Sequence, residues 1–166
     1  MRKAEIETLF AYNYWANRRI LNKAGGLSEA DLNAPSDLSH GSLMETLEHV
    51  LYAEWIWRMR CAERFSPGRG YPWSSPLTFS VLQARWVEEE RAMCAFLGGL
   101  EDEALSERID YTTTSGEARR NLLWELLAHI VNHGTQHRSE AALQLSRLGR
   151  SPGDIDLIIY LRERSR

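Results

Sequence analysis

Three histidines recur at four-residue spacing in LLAHIVNHGTQHRSEAAL: His129, His133 and His137. Four residues is about one helical turn, so neighbouring members of the run share a face. A fourth, His49, lies far upstream among apolar residues in LMETLEHVLYAEW. Neutral imidazole is the commonest protein ligand for zinc-type ions, so imidazoles drawn from two helices point to a divalent metal. Axial rise limits the possibilities. Adjacent members of the run are ~6 Å apart along the axis, but His129 and His137 are ~12 Å apart. One ion with bonds of ~2.0–2.1 Å takes a neighbouring pair. The pair is His129 with His133 or His133 with His137, and His49 is the helical histidine left to complete it. Three histidines leave a fourth tetrahedral position open, the pattern of catalytic sites. An uncompensated divalent charge there favours an anionic fourth ligand, a hydroxide or a thiolate.

Other metal chemistries fail on the letters. A di-iron bundle needs paired Glu-x-x-His motifs. Here Glu45 and Glu125 precede His49 and His129 by four residues instead. A zinc protease needs His-Glu-x-x-His, and His133-Gly134-Thr135-Gln136-His137 lacks the glutamate.

The elements that must position these groups are helices. Prolines occur only at 35, 67, 72, 76 and 152. The long proline-free stretches between them predict helices over 3–24, 42–64, 80–97 and 121–148. Gly25-Gly26, Gly98-Gly99 and Gly149 mark three of their ends. Ser42 and Glu45 predict a capping box at the start of the second helix. Short turns are expected over 27–32, capped by Ser28, and over 102–106, with a last helix over 154–164. ERIDYTTTSGEARR predicts a small hairpin or extended loop before the fourth long helix. The expected fold class is therefore all-α, a four-helix bundle in one domain spanning 1–166.

Composition sets the remaining bounds. The chain has 166 residues, 43% hydrophobic and 26% charged, with a net charge of -3. No basic stripe of the kind nucleic-acid binding needs is present. No apolar run approaches the ~20 residues of a membrane span, and the N-terminus lacks the pattern of a secretory signal. Two well-separated cysteines, Cys61 and Cys94, suit reduced, buried thiols in a cytoplasm. Trp15, Trp55, Trp57, Trp86 and Trp124 are expected in packing. Tyr71 and Trp73 lie in the Ser66–Pro76 loop and are candidates for substrate contact, because loops carry binding function disproportionately. Glu88, Glu89 and Glu90 read as a solvated face. His40, just ahead of the Ser42 cap, reads as a surface or local structural residue. Mid-helix Gly134 costs ~1 kcal/mol against alanine, which predicts a packing or access reason.

Four segments in order resemble the DinB/YfiT-like metalloenzyme family. They are YNYWANRRIL, GSLMETLEHVLYAEWIW, LLAHIVNHGTQHRSEAA with its His-x-x-x-His-Arg signature, and DIDLIIYLRE. The resemblance implies a four-helix bundle with a divalent metal, Zn or Ni foremost and Fe or Cu as alternatives, on His49, His133 and His137. His129 then becomes an accessory residue, as do Asn13 on the first helix and Arg138 beside a ligand. Where the family often has Gly-Gln after His-Arg, this chain has Ser139-Glu140. The resemblance further implies thiol-dependent S-transfer or isomerisation, with a low-molecular-weight thiol and a small electrophile as partners, in a homodimer. The competing expectations are a helical stress-related binding protein with a structural or degenerate metal site, and a metal-hydroxide hydrolase.

Overall fold

The computed structural model describes residues 1–74 and 77–165. Ser75 and Pro76, the end of the expected loop, and Arg166 lie outside the described residues. The fold is all-α with one small hairpin. Its long helices are α1 (Lys3–Ala24), α3 (Leu43–Ala62), α4 (Phe79–Gly98) and α5 (Leu123–Arg147). Short α2 (Glu29–Asn33) follows α1, and α6 (Leu157–Arg164) closes the chain. A single 3-10 turn (Glu103–Ser106) leads into β1 (Arg108–Thr112), which pairs antiparallel with β2 (Ala118–Leu122).

Helix α5 is the centre of the bundle and packs on both α1 and α3, while α4 covers the other side of those two. Leu123, Leu127 and Ile130 bury one stretch of α5 with Phe10 and Met93. Ala141 and Leu145 bury the next with Ile20, Leu47 and Leu82. The C-terminus of α5 is a Schellman motif: Gly149 takes φ +71°, the Arg150 amide donates to the Leu145 carbonyl at 2.8 Å, and the Gly149 amide to Ser146 at 3.0 Å.

Helix α5 starts two residues later than the sequence predicts. Asn121 and Leu122 are claimed by the strand ladder opposite Ile109 and Arg108, and Glu125 then accepts from the Leu122 amide at 3.0 Å. Helix α6 also starts late, at Leu157, after an extended Asp156. At α3 the Ser42 hydroxyl accepts from the Glu45 amide, but the Glu45 carboxylate takes the Ser42 hydroxyl at 2.9 Å, so only half of the expected box forms. Two burial expectations are corrected. Cys94 is exposed on α4, whereas Cys61 is buried. Glu89 is buried and paired with Arg58, so the acidic run is not a uniformly solvated face. None of the described helices is long and apolar enough to cross a membrane.

Candidate metal centre

The packing of α3 on α5 brings His49 against His133 and His137. The Nε2 atoms of His49 and His133 lie 3.2 Å apart. Ring centres are separated by 5.1 Å for His49–His133, 4.7 Å for His49–His137 and 4.6 Å for His133–His137. Two imidazoles on one tetrahedral zinc-type ion have nitrogens about 3.3 Å apart and ring centres about 5 Å apart, given bonds of ~2.0–2.1 Å. The donor set fits a small divalent ion on that test.

His40 also joins the cluster, which corrects its reading as a surface or merely local residue. The 36–41 segment folds back on itself, with the Ser36 amide donating to the Gly41 carbonyl at 2.7 Å and Gly41 at φ +85°. That turn lays His40 over His49 at 3.8 Å between ring centres, with the planes 23° apart. His40, His49 and His137 each offer a nitrogen within 4.8 Å of the others. Proximity alone therefore selects a different trio from the resemblance. His49, His133 and His137 have ring centres 4.6–5.1 Å apart, and His40 both stacks on His49 and meets His137 at 5.0 Å between ring centres.

Burial favours the form of imidazole that ligates. It drives the pKa of His49 down to about 3, helped by His40, His133 and His137, and that of His133 down to about 4, helped by His137 and His129. Both rings are neutral at pH 7, with a lone pair available. His137 is oriented by Glu140, whose Oε2 lies 3.0 Å from Nδ1 and also accepts from the Ser39 hydroxyl at 2.8 Å. Burial pushes Glu140 up, but the bonds from His137 and Ser39 outweigh it and hold the carboxyl below its usual range. A carboxylate only accepts, so Nδ1 is the donor and Nε2 of His137 is left as the ligating atom. Spacing foreshadowed this contact, since His137 and Glu140 are three apart on a helix.

A family model for the DinB family matches residues 1–165. The chain belongs to the DinB family. It is similar to Protein DinB of Bacillus subtilis (strain 168), 26% identical over 164 residues that cover 92% of this chain and 91% of that protein.

The other candidate residues of this DinB-family chain fall in three places. His129 lies one turn from His133, 5.8 Å between ring centres, and its edge meets the Trp57 ring at 5.0 Å. Asn13 and Arg138 are buried on the α1 side of α5. There Arg138 donates to Asn13 and Asn17 and, at 2.9 Å, to the Thr135 hydroxyl. Asn13 and Tyr14 donate in turn to Glu54 at 3.1 and 2.7 Å. Arg138 bears on the cluster through its charge, which helps lower His133. Gly134 has the packing reason its cost predicts. A Cβ there sits 2.6 Å from Arg138 Nη1 and 3.1 Å from Asn13 Oδ1.

A cavity of about 350 Å³ opens beside the histidines, walled by α3, α5 and the hairpin. His49, His133 and His129 line one part, and Trp57, Arg60 and Tyr111 another. Tyr71 and Trp73 do not line it. Both touch Tyr52, which does, with ring centres 4.7 and 6.5 Å away. Trp73 lines a second cavity of about 280 Å³ between α3 and α4 and donates to Glu48 at 2.9 Å. Sequence reasoning missed His40, Glu140, Tyr111 and Arg60.

Proposed function

We propose that this DinB-family chain is a divalent-metal-dependent enzyme with His49, His133 and His137 as its protein ligands and chemistry of the thiol-dependent S-transferase or isomerase type. The observation that carries the reading is the gathering of three imidazoles, those of His49 and His133 neutral, beside a cavity of substrate size. A divalent ion held there would supply positive charge that favours the thiolate form of a thiol, and so a nucleophile able to add to, or displace a leaving group from, a small electrophile. The chain's own groups position the parts. Glu140 fixes the tautomer and ring angle of His137. His40 stacks on His49 and holds its ring plane. Trp57 and Tyr111, with ring centres 5.2 Å apart, form an apolar wall that keeps water from the bound molecule. No carboxylate is among the residues lining the cavity, and the general base available there is the imidazole of His129.

Metal analysis of the purified protein tests the first half. Stoichiometric Zn or Ni is expected, with loss in the His49→Ala, His133→Ala, His137→Ala triple variant. Unchanged occupancy in that variant overturns the ligand assignment. A panel of low-molecular-weight thiols with model electrophiles tests the second half. Turnover that no thiol stimulates overturns the thiol chemistry.

A further inference from the structure

Arg60 is a buried cation without an anionic partner, and it lines the cavity beside the histidines. The residue is only 4% exposed. Its Nε and Nη2 have no hydrogen-bond partner among the described residues. Besides burial, the groups that bear on its charge are Tyr111, Tyr52 and Cys61, none of them a carboxylate. Its guanidinium carbon sits 4.5 Å from the Trp57 ring centre and 5.5 Å from that of Tyr111. Those rings attract the flat face of the cation. They do nothing for N–H groups in the plane of its edge.

That edge has a defined use elsewhere in this chain. Arg58 grips Glu89 through Nε and Nη2 at 2.5 and 2.8 Å. Arg120 grips Asp110 through the same two atoms at 2.5 and 2.8 Å. The side-on fork matches the two oxygens of a carboxylate, and such charge-assisted pairs are about twice as strong as neutral hydrogen bonds. At Arg60 the fork is present and none of the described residues supplies a carboxylate to it. Other buried atoms lack partners too: Arg138 Nε and Asn17 Nδ2 belong to side chains that hydrogen-bond through their remaining atoms, and Arg85 Nε and Trp86 Nε1 lie outside this cavity. The other arginine of the cavity, Arg119, is exposed and already bonded to Glu117 at 2.6 Å.

We propose that Arg60 recognises the substrate, and that the molecule entering this cavity is a small organic acid. Its carboxylate pairs with the Arg60 fork, its apolar body lies along Trp57 and Tyr111, and its reactive carbon is directed toward the histidines. Presenting the fork to that carboxylate takes a side-chain torsion of Arg60. The reaction that follows rests on the metal-centre reading; the binding itself does not.

The probes are 3-phenylpropionate and its neutral amide, bound to zinc-loaded and to chelated protein and followed by calorimetry. The acid is expected to bind at least tenfold tighter than the amide, and to keep that preference after chelation. Arg60→Gln is expected to bring the two within twofold, and Arg60→Lys to retain part of the preference. Equal binding of acid and amide, a preference that survives Arg60→Gln, or no binding of the acid at millimolar concentration overturns the proposal. A preference that vanishes on chelation and survives in Arg60→Gln assigns the carboxylate to the metal, which sinks the role of Arg60 and leaves the metal centre standing. Acid preference in a protein that takes up no metal does the reverse. Should Arg60→Gln not fold, Arg60→Lys decides, because a single ammonium lacks the fork: an unchanged preference overturns the proposal.

Discussion

Two polar clusters flank α5, and they are built on opposite principles. On the α1 side, Arg138, Asn13, Asn17, Tyr14 and Glu54 hydrogen-bond to one another inside the bundle. On the α3 side, four histidines crowd together, His49 and His133 as neutral rings, and Arg60 nearby has no ion partner among the described residues. The first cluster spends most of its hydrogen-bonding capacity on itself, leaving Arg138 Nε and Asn17 Nδ2 unpartnered among the described residues, which makes it structure. The second leaves lone pairs and a cation unused by the chain, which makes it a site. Burial is common to both, so burial does not distinguish them. What does is whether the chain itself completes the bonding.

Breaking each cluster should therefore affect different measurements. The largest effect is expected from Arg138→Met. It leaves the Asn13 and Asn17 side-chain carbonyls without their buried donor, at about 1–3 kcal/mol of folding stability for each acceptor left unpaired, read by denaturant unfolding. Arg60→Met is the counterpart, because it removes a buried cation that the fold does not pair. Its unfolding midpoint should stay level or rise. A loss comparable to that of Arg138→Met would erase the distinction between the clusters.

Glu140→Gln is next. It keeps the shape beside His137 and removes the carboxylate that orients it, so metal affinity should fall about 10–100-fold with the unfolding midpoint of the metal-free protein little changed. Affinity equal to wild type would show that His137 needs no such support. Gly134→Ala follows. In an ordinary helix it would stabilise by ~1 kcal/mol. Here the new methyl meets Arg138 and Asn13, so a net destabilisation of about 1–2 kcal/mol is expected from overpacking. Stabilisation would mean that the Arg138 network yields easily.

The last test is the pH dependence of the metal-free protein, where the two clusters pull in opposite directions. Burial raises Glu54 from 4.5 to about 7, against the bonds from Tyr14 and Asn13. The folded state then holds a proton that the unfolded chain has released, so this group's contribution is full below about pH 4.5 and falls as pH rises to about 7. His49 and His133 lie near 3 and 4 when folded, against 6.5 otherwise. The unfolded chain binds the extra protons, so their contribution is full above about pH 6.5 and is lost as pH falls below it. Glu54→Gln should leave only the histidine trend, a steeper rise in stability from pH 4.5 to 7. An unchanged slope would show that Glu54 does not carry its proton in the folded state.

The helices were legible because proline, glycine and apolar periodicity act within a few residues. Their boundaries shifted where a long-range pairing intervened, as at Asn121 and Leu122, which the strand ladder takes from α5. His49, His133 and His137 were legible as helical histidines among apolar neighbours. His40 was not, because a turn residue carries no periodicity, and its place over His49 comes from the fold-back that ends at Gly41. Arg60 was hidden for a different reason. Arg58 and Arg60 are two apart on α3 and face different ways. Nothing local announces that one will meet Glu89 and the other two aromatic rings.

By itself the sequence determined the helical class, a break for a hairpin or extended loop before the last long helix, and the axial rise that keeps His129 and His137 from gripping one ion. Those are properties of a backbone with a known rise and of side chains within a turn of one another. Which histidines share a space was decided by tertiary structure. His49 and His133 are 84 residues apart, and their 3.2 Å separation exists because apolar faces of α3 and α5 bury against each other. The same packing, with the hairpin folded over it, enclosed Arg60 without a carboxylate partner among the described residues and so left a charge to satisfy in the cavity beside the histidines.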